Sequence, residues 1–241
     1  MRKYRHAPRR EGDAGHGRIL RLVGRPAEER RAELVELYRK LHADHGCPLK
    51  ASRTNVVFGM GNADAELMFV GEAPGRDEDL QGKPFVGRAG RLLDQLLEEI
   101  GIPRSQVFIA NVLKCRPPGN RDPLPEEIEE CKPHLMRQIQ LIEPKMICTL
   151  GNFATKTITG SPLGITKVCG RPQQRELGGL DVTVYPLFHP AAALRSTGCL
   201  NDLRGHVMRI PELLDELRGS APEPEPVGAG PSPQPQLDLF G

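Results

Sequence analysis

The chain has 241 residues, enough for one well-buried domain with tails, and a formal net charge of +2. That balance excludes a uniformly basic nucleic-acid coat, although a local basic face is compatible with it. Aromatic residues are 4% and Trp is absent, so an aromatic side chain in a loop stands out. No apolar run approaches the roughly 18 residues of a membrane span.

The first stretch, MRKYRHAPRREGDAGHGR, is basic but leads into no apolar core of a secretory signal, so residues 1–24 read as a flexible arm and the chain as cytoplasmic. Pro26 then opens a helix whose apolar face is Leu34, Leu37, Tyr38 and Leu41, and Gly46 ends it. From here strands are predicted near 55–58, 67–71, 107–112, 145–150 and 182–188. Helices are predicted near 88–100, 125–142, 151–159 and 202–218. Strands separated by helices argue for a parallel sheet covered on both faces. Ligands of such sheets sit outside the C-terminal strand ends.

Three segments fall there. GEAPGRDEDLQGKPFVG (71–87) leaves the strand Leu67–Val70 in a loop rich in Gly, acid and Pro, and carries Phe85. Loops of this kind occur where backbone approaches a ligand. They also form phosphate loops, but Gly82-Lys83 is followed by Pro84 rather than Ser or Thr, so that reading fails. In NVLKCRPPGNRDP (111–123), Asn111 ends a strand with an amide that donates and accepts at once, as suits the edge of a base or an ordinary turn. Lys114, Arg116 and Arg121 can serve phosphate or be solvated. In YPLFHPAAALR (185–195), His189 can donate to a developing anion or be structural. Leu194 and Arg195 suit a wedge with a phosphate contact, or an ordinary helix start.

The six cysteines fit thiols, metal ligands or core positions. Cys47, Cys115 and Cys131 are widely spaced and compatible with a cluster, though spacing alone favours buried or surface thiols. Cys148 reads as a core residue on a strand. From residue 218 to 241 the chain is Pro/Gly/Ser-rich, an extended tether that finishes in Gln236-Leu237-Asp238-Leu239-Phe240.

In order, GEAPG, EDLQGKPFVGRAG, NVLKCRPPGNR, a further Cys, LG, HPA and LR resemble the family 4, iron–sulfur uracil-DNA glycosylases from about Cys47 to Arg195. The resemblance implies a monomeric glycosylase domain over residues 25–217, folded as a three-layer α/β/α sandwich on a central four-stranded parallel sheet. It implies a [4Fe-4S] cluster and hydrolytic excision of uracil from DNA in base-excision repair. Residue by residue, Glu72 would lie near the attacking water, with Gly71 and Ala73 lining the uracil pocket. Phe85 would stack on the flipped base, Asn111 would read its edge and His189 would face O2. Glu78 and Asn120 match positions near the pocket, Leu194 would fill the gap in the base stack, and Arg195 would contact DNA.

The family motif Cys-x-x-Cys-x-Leu stands here as Asp44-His45-Gly46-Cys47-Pro48-Leu49. Cys47, Cys115 and Cys131 match three cluster ligands, and Asp44 replaces the fourth, with His45 and His42 as rivals. The alternatives are a four-iron cluster with a non-Cys ligand, a three-iron cluster, or none. QLDLF resembles the bacterial sliding-clamp-binding motif, which implies the clamp as a partner through Gln236, Leu237, Leu239 and Phe240. A non-catalytic or covalently trapping uracil-DNA-binding protein on the same clamp tether is the rival reading. A relative that cross-links to DNA does so through a His in an inserted Arg-rich loop, and KCRPPGNRDPLPEE has neither insertion nor His.

Overall fold

The computed structural model describes residues 25–43 and 46–219. The basic arm, Asp44, His45 and the tail with Gln236, Leu237, Leu239 and Phe240 lie outside the described residues. In chain order the elements begin with α1 (Ala27–Ala43), β1 (Met60–Gly61), β2 (Leu67–Gly71), α2 (Arg76–Gln81), α3 (Arg88–Glu99) and β3 (Phe108–Asn111). They continue with α4 (Pro125–Ile142), β4 (Met146–Leu150), α5 (Asn152–Thr159), α6 (Ile165–Val168), β5 (Gln173–Leu177) and β6 (Leu180–Leu187). α7 (Pro190–Ala193), α8 (Thr197–Val207) and α9 (Ile210–Gly219) are the last elements of the described residues.

The sheet runs β1-β3-β2-β4-β6-β5. Its middle is the expected parallel block: β3, β2, β4 and β6 pair in parallel, as in Met68↔Phe108, Met68↔Ile147 and Ile147↔Val184. Every residue of β2, β3 and β4 is buried, as strands covered on both faces require. Side chains alternate between two cores. Met68, Val70, Phe108, Ala110 and Ile147 face one, with Leu34 of α1, Leu135 and Ile139 of α4 and Ile158 of α5. Leu67, Phe69, Ile109, Met146 and Cys148 face the other, with Leu93 and Leu96 of α3, Leu203 of α8 and Leu214 of α9. The result is a three-layer α/β/α sandwich.

An antiparallel strand extends the parallel block at each edge, giving six strands where four were expected. The strand expected at 55–58 does not join the ladder. Pairing waits until Met60–Gly61, where Gly61 sits at φ +131° with space for no Cβ, since one there would lie 2.0 Å from the Val107 carbonyl oxygen. At the other edge β5, Gln-Gln-Arg-Glu-Leu, carries no apolar alternation, and only the Gly178-Gly179 pair before β6 signals a hairpin. The helix expected at 202–218 starts at Thr197, where the Ser196 hydroxyl caps the Cys199 N–H at 3.3 Å. It then breaks at Met208–Arg209, because Pro211 has no N–H to continue it.

Candidate active site

Four parallel strands end on one rim, and their ends carry the candidate residues. Gly71 closes β2, Asn111 closes β3, Gly151 follows β4 and His189 follows β6. The loops are stitched just past the sheet by Val112 N–H to Gly71 O at 2.9 Å, Leu113 N–H to Glu72 O at 3.0 Å and Gly151 N–H to Leu187 O at 2.9 Å. Between them lies a cleft of about 440 Å³ bordered by Glu72, Ala73, Glu78, Phe85, Asn111, Asn120, Asp122, His189 and Arg195. The three sequence segments therefore converge.

Gly71 has no room for a side chain. A Cβ there would stand 2.4 Å from Asn111 Oδ1 and 2.7 Å from the Phe85 ring, so the residue's smallness lets amide and aromatic ring meet over the strand end. Asn111 Oδ1 is buried and has no hydrogen-bond partner among the described residues. A buried carbonyl oxygen left unpaired costs about 1–3 kcal/mol, which a ligand N–H would recover.

Phe85 adopts φ 51°, unusual for a bulky residue, and is nearly fully buried. The loop imposes that conformation. The Glu78 carboxylate accepts from Gly75 N–H at 3.1 Å, Val86 N–H at 3.0 Å and Gly87 N–H at 2.9 Å, and Arg104 donates to the Pro84 carbonyl at 2.7 Å. Glu78 borders the cleft, but both its oxygens are spent on backbone, so it positions Phe85 by holding the loop. The Phe85 ring lies 5.7 Å from the His189 ring at 27°, leaving the two nearly parallel.

Burial lowers the His189 pKa to about 4, opposed by the negative charge of Glu78. The ring is therefore neutral near pH 7. Its Nδ1 accepts from the Ala191 N–H at 3.0 Å as the cap of α7, which leaves the proton on Nε2. Burial, reinforced by Asp122, raises Glu72 to about 7. Asn120, at φ 55°, accepts from Arg116 Nε at 2.6 Å. Arg121 pairs with buried Glu127, at 2.5 Å from Nη2, and Glu127 also caps α4 through the Leu124 N–H at 2.9 Å. Of the three basic residues read as possible phosphate ligands, Arg116 and Arg121 thus have carbonyl or carboxylate partners, and Lys114 is fully buried. Leu194 is 40% exposed just past α7, and Arg195 borders the cleft beside it.

A second group lies behind Asn111. α1 packs on α4, which brings Cys47, just past α1, against Cys131 of α4 and Cys115 of the loop after β3. Cys47 is within hydrogen-bond reach of both other thiols, and all three are buried. Mutual contact first, and burial second, push Cys115 and Cys131 far above the ordinary thiol range. Arg53, whose Nη1 donates to Cys115 Sγ at 3.1 Å, and Lys114, whose backbone N–H donates to Cys131, pull the other way. Three converging soft donors, one of them in contact with the Arg53 guanidinium, fit an iron–sulfur cluster. Among the described residues no set of three His, Cys, Asp or Glu side chains is arranged round a single metal ion, and the expected fourth ligand falls at residues 44–45. Of the fourth-ligand candidates only His42 is described. It is exposed and turned back on its own helix, with Nδ1 2.9 Å from the Tyr38 carbonyl. Cys148 is a core residue of β4 as expected, and Cys169 Sγ lies 3.5 Å from His206 Nδ1.

Sequence reasoning missed Asp122 and the positioning role of Glu78. Asp122 carries no motif signal, and its influence on Glu72 emerges only from the fold.

Residues 58–204 match the profile of the uracil DNA glycosylase superfamily. The chain is 45% identical over 184 residues to a type-4 uracil-DNA glycosylase of Archaeoglobus fulgidus, covering 75% of this chain and 92% of the relative. It is 50% identical over 173 residues to one of Sulfurisphaera tokodaii, covering 69% and 78% of the two chains. A third, of Thermotoga maritima, is 48% identical over 180 residues, covering 74% and 91%.

Proposed function

This chain belongs to the type-4 branch of the uracil-DNA glycosylase superfamily, and we propose that it flips uracil out of DNA and hydrolyses its N-glycosidic bond with the side chains that meet in the cleft. The observation that carries the reading is the orphaned Asn111 Oδ1, buried in a cleft whose other wall holds a neutral His189. Uracil N3–H satisfies that oxygen, and the amide N–H then faces O4. Cytosine, with an acceptor at N3 and a donor at C4, offers the reverse pattern. Phe85 supplies the stacking face. A base within the duplex is out of reach of this cleft, so flipping, at a cost of a few kcal/mol, comes first, and exposed Leu194 is suited to fill the vacated space while Arg195 meets backbone.

Bond cleavage leaves an oxocarbenium-like sugar and a uracil anion. His189 Nε2–H donates to O2 as charge develops there. Ionised Glu72 favours the cationic sugar and orients water. The functional test is excision from uracil-containing oligonucleotides by the purified chain, read as alkali-labile breaks. Breaks at uracil alone support the reading, and their absence overturns it.

Gly71→Ala tests the pocket separately. Its Cβ would displace Asn111 Oδ1 or the Phe85 ring from contacts of 2.4 and 2.7 Å. The expected result is a loss of excision of roughly 10²-fold, the scale of a 1 Å misplacement in an active site. Circular dichroism should show the fold retained. Undiminished excision would mean that the amide and ring do not read the base.

Cys47, Cys115 and Cys131 would hold an iron–sulfur cluster, with Asp44 as fourth ligand and His45 or His42 as rivals. When bound, the cluster supplies thiolate cross-links that tie the end of α1, the loop after β3 and α4 together behind Asn111. An oxygen ligand is harder than thiolate and holds iron more loosely. Purified protein is expected to contain iron and acid-labile sulfide, and Asp44→Cys to slow iron loss to a chelator. Equal loss rates in the two proteins would remove Asp44 from the ligand set. QLDLF at the end of the tail would add recruitment to the sliding clamp, a reading that rests on those residues alone.

A further inference from the structure

Glu78 closes the loop 71–87 on itself, since its three N–H partners, Gly75, Val86 and Gly87, all belong to that loop. A closed loop still has to be fixed to the body of the fold before Phe85 can hold a base in register. The next residue, Asp79, reaches out of the loop to do so. It is 3% exposed, and its Oδ1 accepts from the Thr54 N–H at 2.8 Å and the Asn55 N–H at 3.2 Å. The Asn55 side chain completes the exchange: Nδ2 donates to the Asp79 carbonyl at 2.8 Å and to the Leu80 carbonyl at 3.2 Å. The last carbonyls of a helix have no partner within it. At the end of α2 the Gly82 N–H takes the Glu78 carbonyl at 2.8 Å, and Asn55 takes the next two from 24 and 25 residues away.

The segment that receives α2 is itself anchored. Val56, Val57 and Phe58 are core residues, and the Val57 N–H donates to the Lys114 carbonyl at 2.8 Å, just past β3. The stretch that does not enter the sheet as a strand thus keeps the N–H groups of Thr54 and Asn55 for Asp79. We propose that Asn55 and Asp79 form a clasp that sets the position of Phe85 against uracil, both acting as positioning residues for excision. The proposal rests on the uracil-excision reading above. Without the clasp, the loop is held by its two ends in β2 and α3 and by the Arg104 bond to the Pro84 carbonyl. Phe85, at φ 51°, then has room to relax out of its strained conformation and away from the base.

Asn55 is exposed, so Asn55→Ala removes the donor without opening the core. The experiment uses the full chain and compares wild type, Asn55→Ala, Phe85→Ala and the double variant in single-turnover excision from a uracil oligonucleotide. Asn55→Ala alone is expected to slow excision by roughly 10-fold, less than the roughly 10²-fold of a full 1 Å misplacement, because Arg104 still holds Pro84. In the Phe85→Ala background the same change should cost less than about twofold, because the ring it positions is gone. A residue that only stabilises the fold would slow both backgrounds by the same factor. Binding separates the two roles without chemistry. Asn55→Ala should weaken affinity for an oligonucleotide carrying 2′-fluorodeoxyuridine, whose fluorine resists formation of the cationic sugar. Affinity for an abasic-site oligonucleotide should stay at the wild-type value, since that DNA has no base to stack.

An unchanged rate in Asn55→Ala, equal factors in the two backgrounds, or equal loss of affinity for the two oligonucleotides would overturn the proposal. If Asn55→Ala does not fold, Asn55→Asp, which keeps the shape of the side chain and loses the donor, takes its place under the same criteria. A wild type that leaves uracil in the DNA would remove the excision reading and this proposal together. An active wild type with equal factors in the two backgrounds would remove only this one.

Discussion

His189→Ala is expected to slow uracil excision by roughly 10²–10³-fold, the cost of removing one donor to a developing oxyanion. The loss should fall on kcat rather than KM, because O2 gains its charge only as the glycosidic bond stretches. The geometry makes the assignment specific. Nδ1 is committed to the Ala191 N–H, so the neutral ring presents Nε2–H and no second tautomer fits without breaking the α7 cap. Burial holds the ring neutral down to about pH 4. A neutral imidazole N–H is the weaker acid but carries no desolvated charge of its own, so it stabilises the anion without the penalty of burying a cation in the ground state. No inflection from His189 should therefore appear in the rate between pH 6 and 8, a range well above its value of about 4. Single-turnover rates for wild type and His189→Ala on one uracil oligonucleotide check both points. A loss smaller than about threefold would assign the main anion-stabilising donor elsewhere in the cleft.

What the sequence conveys and what it hides divide along physical lines. The parallel block was legible because fully buried strands such as Leu67–Val70 and Met146–Leu150 are continuous apolar runs, and α3 shows its Leu92, Leu93, Leu96, Leu97 stripe without interference. β5 was not, since an edge strand that faces water needs no apolar alternation. The strand expected at 55–58 failed for the opposite reason: apolar residues promise a strand, but the ladder is reached only at Met60–Gly61. At the site, Gly71, Asn111 and His189 could be placed from strand ends and motif order. The role of Glu78 could not, because its carboxylate acts on N–H groups up to nine residues away. A lysine among arginines in a loop reads as a phosphate ligand or a solvated side chain, and only its packing against Gln138 reveals Lys114 as core.

Glu72 gives the second large effect, and its sign follows from burial. Its pKa is raised to about 7, by desolvation first and by the negative charge of Asp122 second. The ionised form is the one that favours an oxocarbenium-like sugar, so excision should rise with pH through about 7 and level off above it. Glu72→Gln should abolish that limb and lower the plateau rate by roughly 10²-fold. Asp122→Asn removes only the second cause, so the limb should move to lower pH with the plateau retained. Stability runs the other way. A carboxyl whose folded-state pKa lies above its ordinary 4.5 binds its proton more tightly in the folded state, so its contribution is present below pH 4.5 and is lost as pH rises to about 7. Wild type should therefore lose stability over that window relative to Glu72→Gln, while its activity increases. The site thus gains catalytic charge where the fold loses stability. Rate profiles and urea midpoints of the three proteins from pH 4.5 to 8.5 test the coupling. A wild-type rate that stays flat across that range would show that the carboxyl at Glu72 does not control the reaction, and an Asp122→Asn limb at the wild-type position would leave burial as the whole cause of its raised pKa.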